Sequence, residues 1–73
     1  MKSEWFHNPQ NRWYFIELFE DSIGGTWFLL RFRGDNDGSK YKKLIFFSTR
    51  EEAVEEMKNI HRKLKKKGYE RIQ

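Results

Sequence analysis

The residue types best suited to binding in this chain are cations interleaved with aromatic rings. They occur as Arg31-Phe32-Arg33 and as Lys40-Tyr41-Lys42-Lys43. Lysine and arginine neutralise phosphates and aromatic rings stack on bases, so this alternation is typical of a surface that contacts nucleic acid. With cations from the last third of the chain included, the candidate nucleic-acid-binding residues are Arg31, Phe32, Arg33, Lys40, Lys42, Lys43, Lys58, Arg62, Lys65 and Lys66.

The positive charge is concentrated at one end of the chain. Between residues 57 and 73 there are seven lysines or arginines against one acid, Glu70, so that segment carries +6. Because the whole chain carries +4, residues 1–56 carry −2. Cations also complement the dipole at the carboxyl end of a helix, which explains Lys65, Lys66 and Lys67 without any ligand. The basic segment is therefore consistent both with a binding surface and with a solvated helix end.

The same segment has the pattern of a capped, amphipathic helix. Ser48 and Thr49 are both N-cap candidates, and each is followed three residues later by a glutamate. Apolar residues then recur at helical spacing, so one stripe should pack against the rest of the domain. The stripe consists of Ala53, Met57, Ile60 and Leu64. The candidate cations of this helix occupy a sector beside the stripe.

Three segments before the helix have strand character. Residues 12–20, 27–33 and 41–47 are rich in aromatic and β-branched side chains, and glycine-rich turns separate them. The predicted fold class is α+β, a small antiparallel sheet of three or more strands packed against one C-terminal helix. A length of 73 residues allows one domain, with residues 1–10 predicted as an irregular lead-in and 11–73 as the domain.

Both faces of the predicted sheet carry apolar side chains. Along residues 12–20, Tyr14, Ile16 and Leu18 point one way while an aromatic set points the other. One helix covers one face, so the other face needs the N-terminal aromatics, a dimer mate or a ligand. We expect Trp5 and Phe6 to pack on that second face. The possible partner-binding aromatics are Trp5, Phe6, Trp13, Phe15 and Phe19.

The composition argues against several classes of function. There is no cysteine and there are two histidines, His7 and His61, so a zinc site is not expected. No serine has a histidine and acid partner at recognisable spacing, and no glycine-rich phosphate loop occurs, so we expect neither catalysis nor a cofactor. Residues 1–10 do not resemble a signal peptide, and no apolar run reaches the length of a membrane span. We expect a cytoplasmic location, or a nuclear one in a eukaryotic cell, with no membrane or small-molecule partner.

The order of these elements, together with several short motifs, resembles a WGR domain. The resemblance covers about residues 11–69. Its motifs are Asn11-Arg12-Trp13-Tyr14, Glu17-Leu18-Phe19-Glu20-Asp21, Trp27, Ser48-Thr49-Arg50-Glu51-Glu52-Ala53 and Lys67-Gly68-Tyr69. WGR domains are found in DNA-dependent poly(ADP-ribose) polymerases and in bacterial proteins of the molybdate-metabolism regulator type. In the polymerases the domain contacts DNA at breaks, so the resemblance implies a DNA-binding module.

This chain departs from the family at the tripeptide that names it. The Trp-Gly-Arg of the family follows the second strand, and its Trp and Arg contact the DNA end. Here the same place reads Arg31-Phe32-Arg33-Gly34-Asp35, and neither possible register keeps the tripeptide. Arg33 could still supply a cation from a neighbouring position. The sequence therefore predicts a non-catalytic nucleic-acid-binding module that contacts the phosphate backbone of DNA or RNA. The alternative is a small protein-interaction module, or a stoichiometric inhibitor or regulator, that acts through an exposed aromatic sheet face.

Overall fold

The computed structural model describes residues 1–21 and 23–73 as a five-stranded sheet with one helix. The strands are β1 (Lys2–His7), β2 (Arg12–Glu20), β3 (Trp27–Gly34), β4 (Lys40–Phe47) and β5 (Glu70–Arg71), and the helix is α1 (Arg50–Lys66). The strand order is β4-β3-β2-β1-β5, and every neighbouring pair is antiparallel. The predicted α+β class, with an antiparallel sheet and a C-terminal helix, is confirmed.

The helix begins and packs as its sequence pattern predicts. Thr49 is the N-cap, and its side chain accepts a hydrogen bond from the backbone N–H of Glu52. The buried residues of the helix are Ala53, Met57, Ile60 and Leu64, the predicted stripe. They cover Ile16 and Leu18 of β2 and Leu29 of β3, which are almost fully buried. The helix therefore supplies half of a core whose other half is one face of the sheet.

The prediction of an irregular lead-in at residues 1–10 is wrong, because Lys2–His7 forms β1 between β2 and β5. Strand alternation in β1 also separates Trp5 from Phe6. Trp5 is 1% exposed on the face beneath the helix, whereas Phe6 pairs with Trp13 on the opposite face. The prediction that both rings pack on the second face is thus wrong for Trp5. The two large apolar residues of this six-residue strand, Trp5 and Phe6, are adjacent and not alternate, so its pairing was not evident from sequence.

The helix ends in a turn that returns the chain to the sheet. Gly68 has φ +91°, a left-handed conformation that favours glycine, and its N–H donates to the carbonyl of Lys65. The next N–H, that of Tyr69, donates to the carbonyl of Leu64 at 3.0 Å. This reversal buries the Tyr69 ring and places β5 beside β1. The turn thus brings the basic end of the helix close to β1 and β2.

The helix covers one face of the sheet and leaves the other uncovered. The helix face carries the core. The opposite face, which we call the open face, carries Phe6, Trp13, Phe15, Phe19, Phe28, Leu30, Phe32, Leu44 and Phe46 by strand alternation and register. No described element of the chain packs over it. The predicted uncovered aromatic face is therefore present.

Candidate nucleic-acid interface

A cleft opens where the helix end diverges from β3 and β4. Arg50, in the first turn of α1, lies over the ring of Trp27 at the start of β3, whereas Leu64, near the other end, lies beside Tyr69 and Tyr14. The helix thus leaves the second half of β3 and the first half of β4, which pair with each other, uncovered on its own side of the sheet. The resulting cleft has a volume of about 520 Å³. Its lining residues are His7, Gln10, Arg12, Tyr14, Arg31, Arg33, Tyr41, Leu64, Lys67 and Tyr69.

Four cations from three parts of the chain line this cleft. Arg12 begins β2, Arg31 and Arg33 are alternate residues of β3, and Lys67 caps the helix. The register places Arg33 opposite Tyr14 on β2, so alternation directs both β3 arginines to the helix side of the sheet. Residues distant in sequence therefore present their positive charge to one space.

One carboxylate, Asp35, offsets part of this charge. Its Oδ1 lies 2.5 Å from Nε of Arg12 and 3.8 Å from Nε of Arg33. The three atoms are buried, yet none of them has a well-directed hydrogen bond among the described residues. Asp37 is also near enough to Arg12 to interact with its charge. Four cations against these two carboxylates leave the cleft positive. An anion that enters it meets a field of the right sign and guanidinium groups that are not fully paired.

Tyrosines hold the arginines in place. Nε of Arg31 donates to the Tyr14 hydroxyl at 2.7 Å, and the guanidinium of Arg33 lies over the Tyr41 ring, 5.5 Å from its centroid. The nearby Tyr69 side chain raises the pKa of Arg12 above the usual arginine value; burial opposes this and Asp35 adds to it. Because these contacts limit side-chain rotation, the cleft loses less entropy on binding than a set of free lysines would.

The predicted binding residues do not form one surface. Arg31 and Arg33 line the cleft, and Lys43 lies opposite Arg31 on the same face of the sheet. The remaining residues lie elsewhere. Phe32, Lys40 and Lys42 belong to the open face.

The helix cations are also divided. Lys58 lies in a groove with Met1, Lys2 and Arg71, on the side of the helix that faces β1 and β5. Arg62, Lys65 and Lys66 line a shallow groove formed by helix residues alone. Arg62 there donates a hydrogen bond to Oδ1 of Asn59. Lys58 and Arg62 are one turn apart on the helix but line these two different grooves.

Of the ten residues that line the cleft, two, Arg31 and Arg33, were predicted from sequence as binding residues. Arg12 and Lys67 were not predicted as binding residues, nor were the three tyrosines Tyr14, Tyr41 and Tyr69. Arg12 lies at the end of a strand that the pattern did predict, and its alternation with Tyr14 places both on the helix face. That signal was present in the sequence, but the crossing direction of the helix, which decides what remains uncovered, was not.

The open face is a second candidate surface. Trp13 stacks on Phe32 with ring centroids 5.1 Å apart, and Phe19 stacks on Phe28 at 5.3 Å. Phe28 meets Phe46 edge to face at 5.0 Å. Phe46 is 63% exposed, Leu44 43% and Trp13 40%. Exposure of this much connected aromatic surface is typical of a protein-interaction site.

Comparison of the chain with protein-family models, with curated proteins and with solved structures finds no match in any of the three. Within the described residues, no group of histidine, cysteine, aspartate or glutamate side chains is arranged to hold a metal ion. Nor is any helix of those residues long and apolar enough to cross a membrane.

Proposed function

We propose that this chain is a non-catalytic nucleic-acid-binding domain that contacts the phosphate backbone through the cationic cleft. The observation that carries the proposal is the convergence of Arg12, Arg31, Arg33 and Lys67 on one space. Phosphate contacts of this kind give affinity without sequence information, so weak sequence preference is expected. Single-stranded ends or overhangs fit the cleft best, because it combines cations with the exposed ring of Tyr41, on which a base can stack.

The resemblance to WGR domains supports the same proposal. In that family a cation that follows the second strand contacts the DNA end. In this chain the segment Arg31-Phe32-Arg33-Gly34-Asp35 holds that place, and Arg33 lines the cleft. Asp35, which replaces the family arginine in one register, pairs with Arg12 and Arg33. Under this proposal Arg33 supplies the cation that the altered tripeptide lacks.

Binding to fluorescently labelled oligonucleotides tests the proposal. The ligands are single-stranded DNA, single-stranded RNA, and blunt, nicked and intact duplex DNA, with and without a 5′-phosphate. We expect binding that weakens as salt rises, and a preference for 5′-phosphorylated ends if Arg33 occupies the role of the family arginine. Absence of binding to all of these below micromolar concentrations at low salt would exclude the function.

Protein binding is the second candidate function, and the exposed aromatic open face is the observation that favours it. The two functions are compatible because they use opposite faces of the sheet. Phosphate gains little from the phenylalanine and leucine side chains at the centre of the open face, and an apolar partner gains little from a cationic cleft. Substitutions on one face therefore separate the two functions experimentally.

A further inference from the structure

The open face combines an apolar centre with charges at its two lateral edges. Strand alternation and register place Lys40 and Lys42 on this face along β4, at one edge of the sheet. At the other edge Glu4 lies on β1, and Glu70 of β5 lies opposite Phe6. Lys2 of β1 and Glu17 of β2 are also on this face. They lie directly opposite each other, so their charges cancel. The open face is thus basic along one edge and acidic along the other, with aromatic side chains between.

The outer edge of β4 is poorly suited to pairing with another strand. Three of its first four residues are Lys40, Lys42 and Lys43, and lysines on an edge strand oppose the addition of a further strand. A partner that covers the aromatic side chains must therefore approach the open face from above. Sheets that pack face to face in this way lie about 10 Å apart and bury the side chains of both inner faces.

We propose that the open face binds a second copy of this chain about a two-fold axis parallel to the strands. This axis places β4 of one copy over β1 and β5 of the other. It leaves the position of each residue along the strand direction unchanged. Lys42 and Glu4 lie at the same position along the strand direction. The register shows this, because Lys42 pairs with Phe32, Phe32 with Phe15, and Phe15 with Glu4. The basic edge of each copy then faces the acidic edge of the other.

The alternative two-fold axis, perpendicular to the strands, is disfavoured by the same charges. It places β4 over β4 and β1 over β1, so the lysine edges face each other and the glutamate edges face each other. Like charges at an interface oppose association, whereas complementary edges fix the relative orientation of the partners. Charge therefore selects one arrangement, and burial of the aromatic centre provides the affinity.

The apolar centre of the open face contains a groove into which a second copy can pack. A groove of about 310 Å³ lies between the Trp13 and Phe32 rings on one side and Ile72 on the other, with Phe15 in its lining and Glu4 as its charged residue. The Trp13 ring lies against the backbone of Gly34, so its other surface is turned to solvent. In the two-fold arrangement Phe32 of one copy lies over Phe15 of the other, which inserts an aromatic ring into this groove.

Paired charge reversals test the proposal. We expect sedimentation equilibrium of the wild-type chain to show a mass that rises with concentration from 9.0 kDa towards twice that value. Lys42→Glu places glutamate against Glu4 at both symmetry-related contacts, and Glu4→Lys places lysine against Lys42. Each variant alone should associate roughly tenfold more weakly. An equimolar mixture of the two variants pairs opposite charges at every contact, so it should recover the wild-type affinity.

Circular dichroism and melting temperature establish that both variants are folded, which is expected because both side chains point to solvent. As a second readout, NMR spectra recorded on dilution should shift for the open-face residues and not for the cleft. A wild-type chain that stays monomeric into the millimolar range overturns the proposal, and so do variants that do not complement each other. Dilution shifts that map to the cleft or to the outer edge of β4 overturn it as well. None of these outcomes depends on nucleic-acid binding.

Discussion

Nε of Arg31 donates a hydrogen bond to the hydroxyl of Tyr14 at 2.7 Å, and Tyr14 itself is 7% exposed. Tyr14 therefore joins the cationic cleft to the hydrophobic core, because its ring packs in the core and its hydroxyl faces the cleft. The guanidinium of Arg31 also lies 5.8 Å from the centroid of the same ring. Core packing thus determines the direction in which one of the binding cations points.

Tyr14→Phe should weaken nucleic-acid binding although it removes no charge. Loss of the hydroxyl leaves Arg31 without its acceptor and is expected to cost about 1 kcal/mol of stability. Urea denaturation measures the stability, and titration with a labelled oligonucleotide measures the affinity. Tyr41→Phe is the matched control, since it keeps the ring beneath Arg33 and removes a hydroxyl that does not hydrogen-bond to an arginine among the described residues. Equal affinities for the two variants would show that the Arg31 contact does not position the site.

Ile60→Ala or Leu64→Ala should each cost about 2–5 kcal/mol of unfolding free energy. Both side chains are 4% exposed and lie between the helix and the sheet, so truncation leaves a cavity. Such a loss is a large fraction of the stability of a domain of this size. Lys63→Ala, at an exposed position of the same helix, is the control and should change stability little. A melting temperature for either core variant equal to that of wild type would contradict the packing.

Gly34→Ala should destabilise the domain by about 1–3 kcal/mol, because a methyl group cannot fit beneath the Trp13 ring. A Cβ atom at Gly34 would lie 2.3 Å from Cε2 of Trp13. The indole must then move off β3, which also disturbs its stacking on Phe32. Gly24→Ala is a matched control, since a Cβ there meets no atom within 4 Å. Chemical denaturation measures the stability of both variants. Equal stabilities would contradict the close contact between the Trp13 ring and Gly34.

Stability should fall as the pH is lowered through the range in which histidine titrates. Burial, and then the charges of Arg71 and Lys65, lower the pKa of His61 below its usual 6.5. The unfolded chain therefore takes up a proton at a higher pH than the folded chain does. Stability is complete above about 6.5 and decreases below it until the folded state also protonates. Within the fold, His61 Nε2 lies 2.9 Å from Oγ of Ser3, which accepts the indole N–H of Trp5.

Thermal denaturation between pH 7.5 and pH 5 measures this dependence. His61→Gln keeps a polar group that can bond to Ser3 but cannot titrate, so its melting temperature should vary less over this range. His7→Gln, at the cleft, serves as the control for loss of a histidine elsewhere. If His61→Gln retains the full pH dependence of wild type, another group is responsible.

Particular residues show how far the sequence determined this structure. The helix and its buried stripe were predictable because four apolar residues at helical spacing follow a capping box, and all four are buried. β2, β3 and β4 were predictable because aromatic and β-branched runs alternate with glycine turns. β1 was not predictable in this way. Ser3 and Trp5 are buried beneath the helix and share a side-chain hydrogen bond, which no periodicity in the sequence indicates.

The binding surface was less predictable than the fold. Arg31 and Arg33 belong to one face by simple alternation, and the structure brings them together. Lys58 and Arg62 are adjacent on a helical wheel, yet Lys58 lines a groove with residues of β1 and β5, whereas Arg62 lines one formed by helix residues. Arg12 and Lys67 meet the same cleft only through the turn at Gly68 and the position of Tyr69. Tertiary geometry of this kind is not encoded in local spacing.

The most direct test of the account is the salt dependence of nucleic-acid affinity for cleft variants and a control. A cleft that neutralises about three phosphates of duplex DNA predicts a slope of log K against log salt of roughly −3. Arg31→Ala and Lys67→Ala should each reduce the magnitude of that slope by about 1, whereas Arg50→Ala, at the opposite end of the helix, should leave it unchanged. If Lys58→Ala with Arg62→Ala flattens the slope and the two cleft variants do not, the phosphate-binding surface is the outer helix, and the account is wrong.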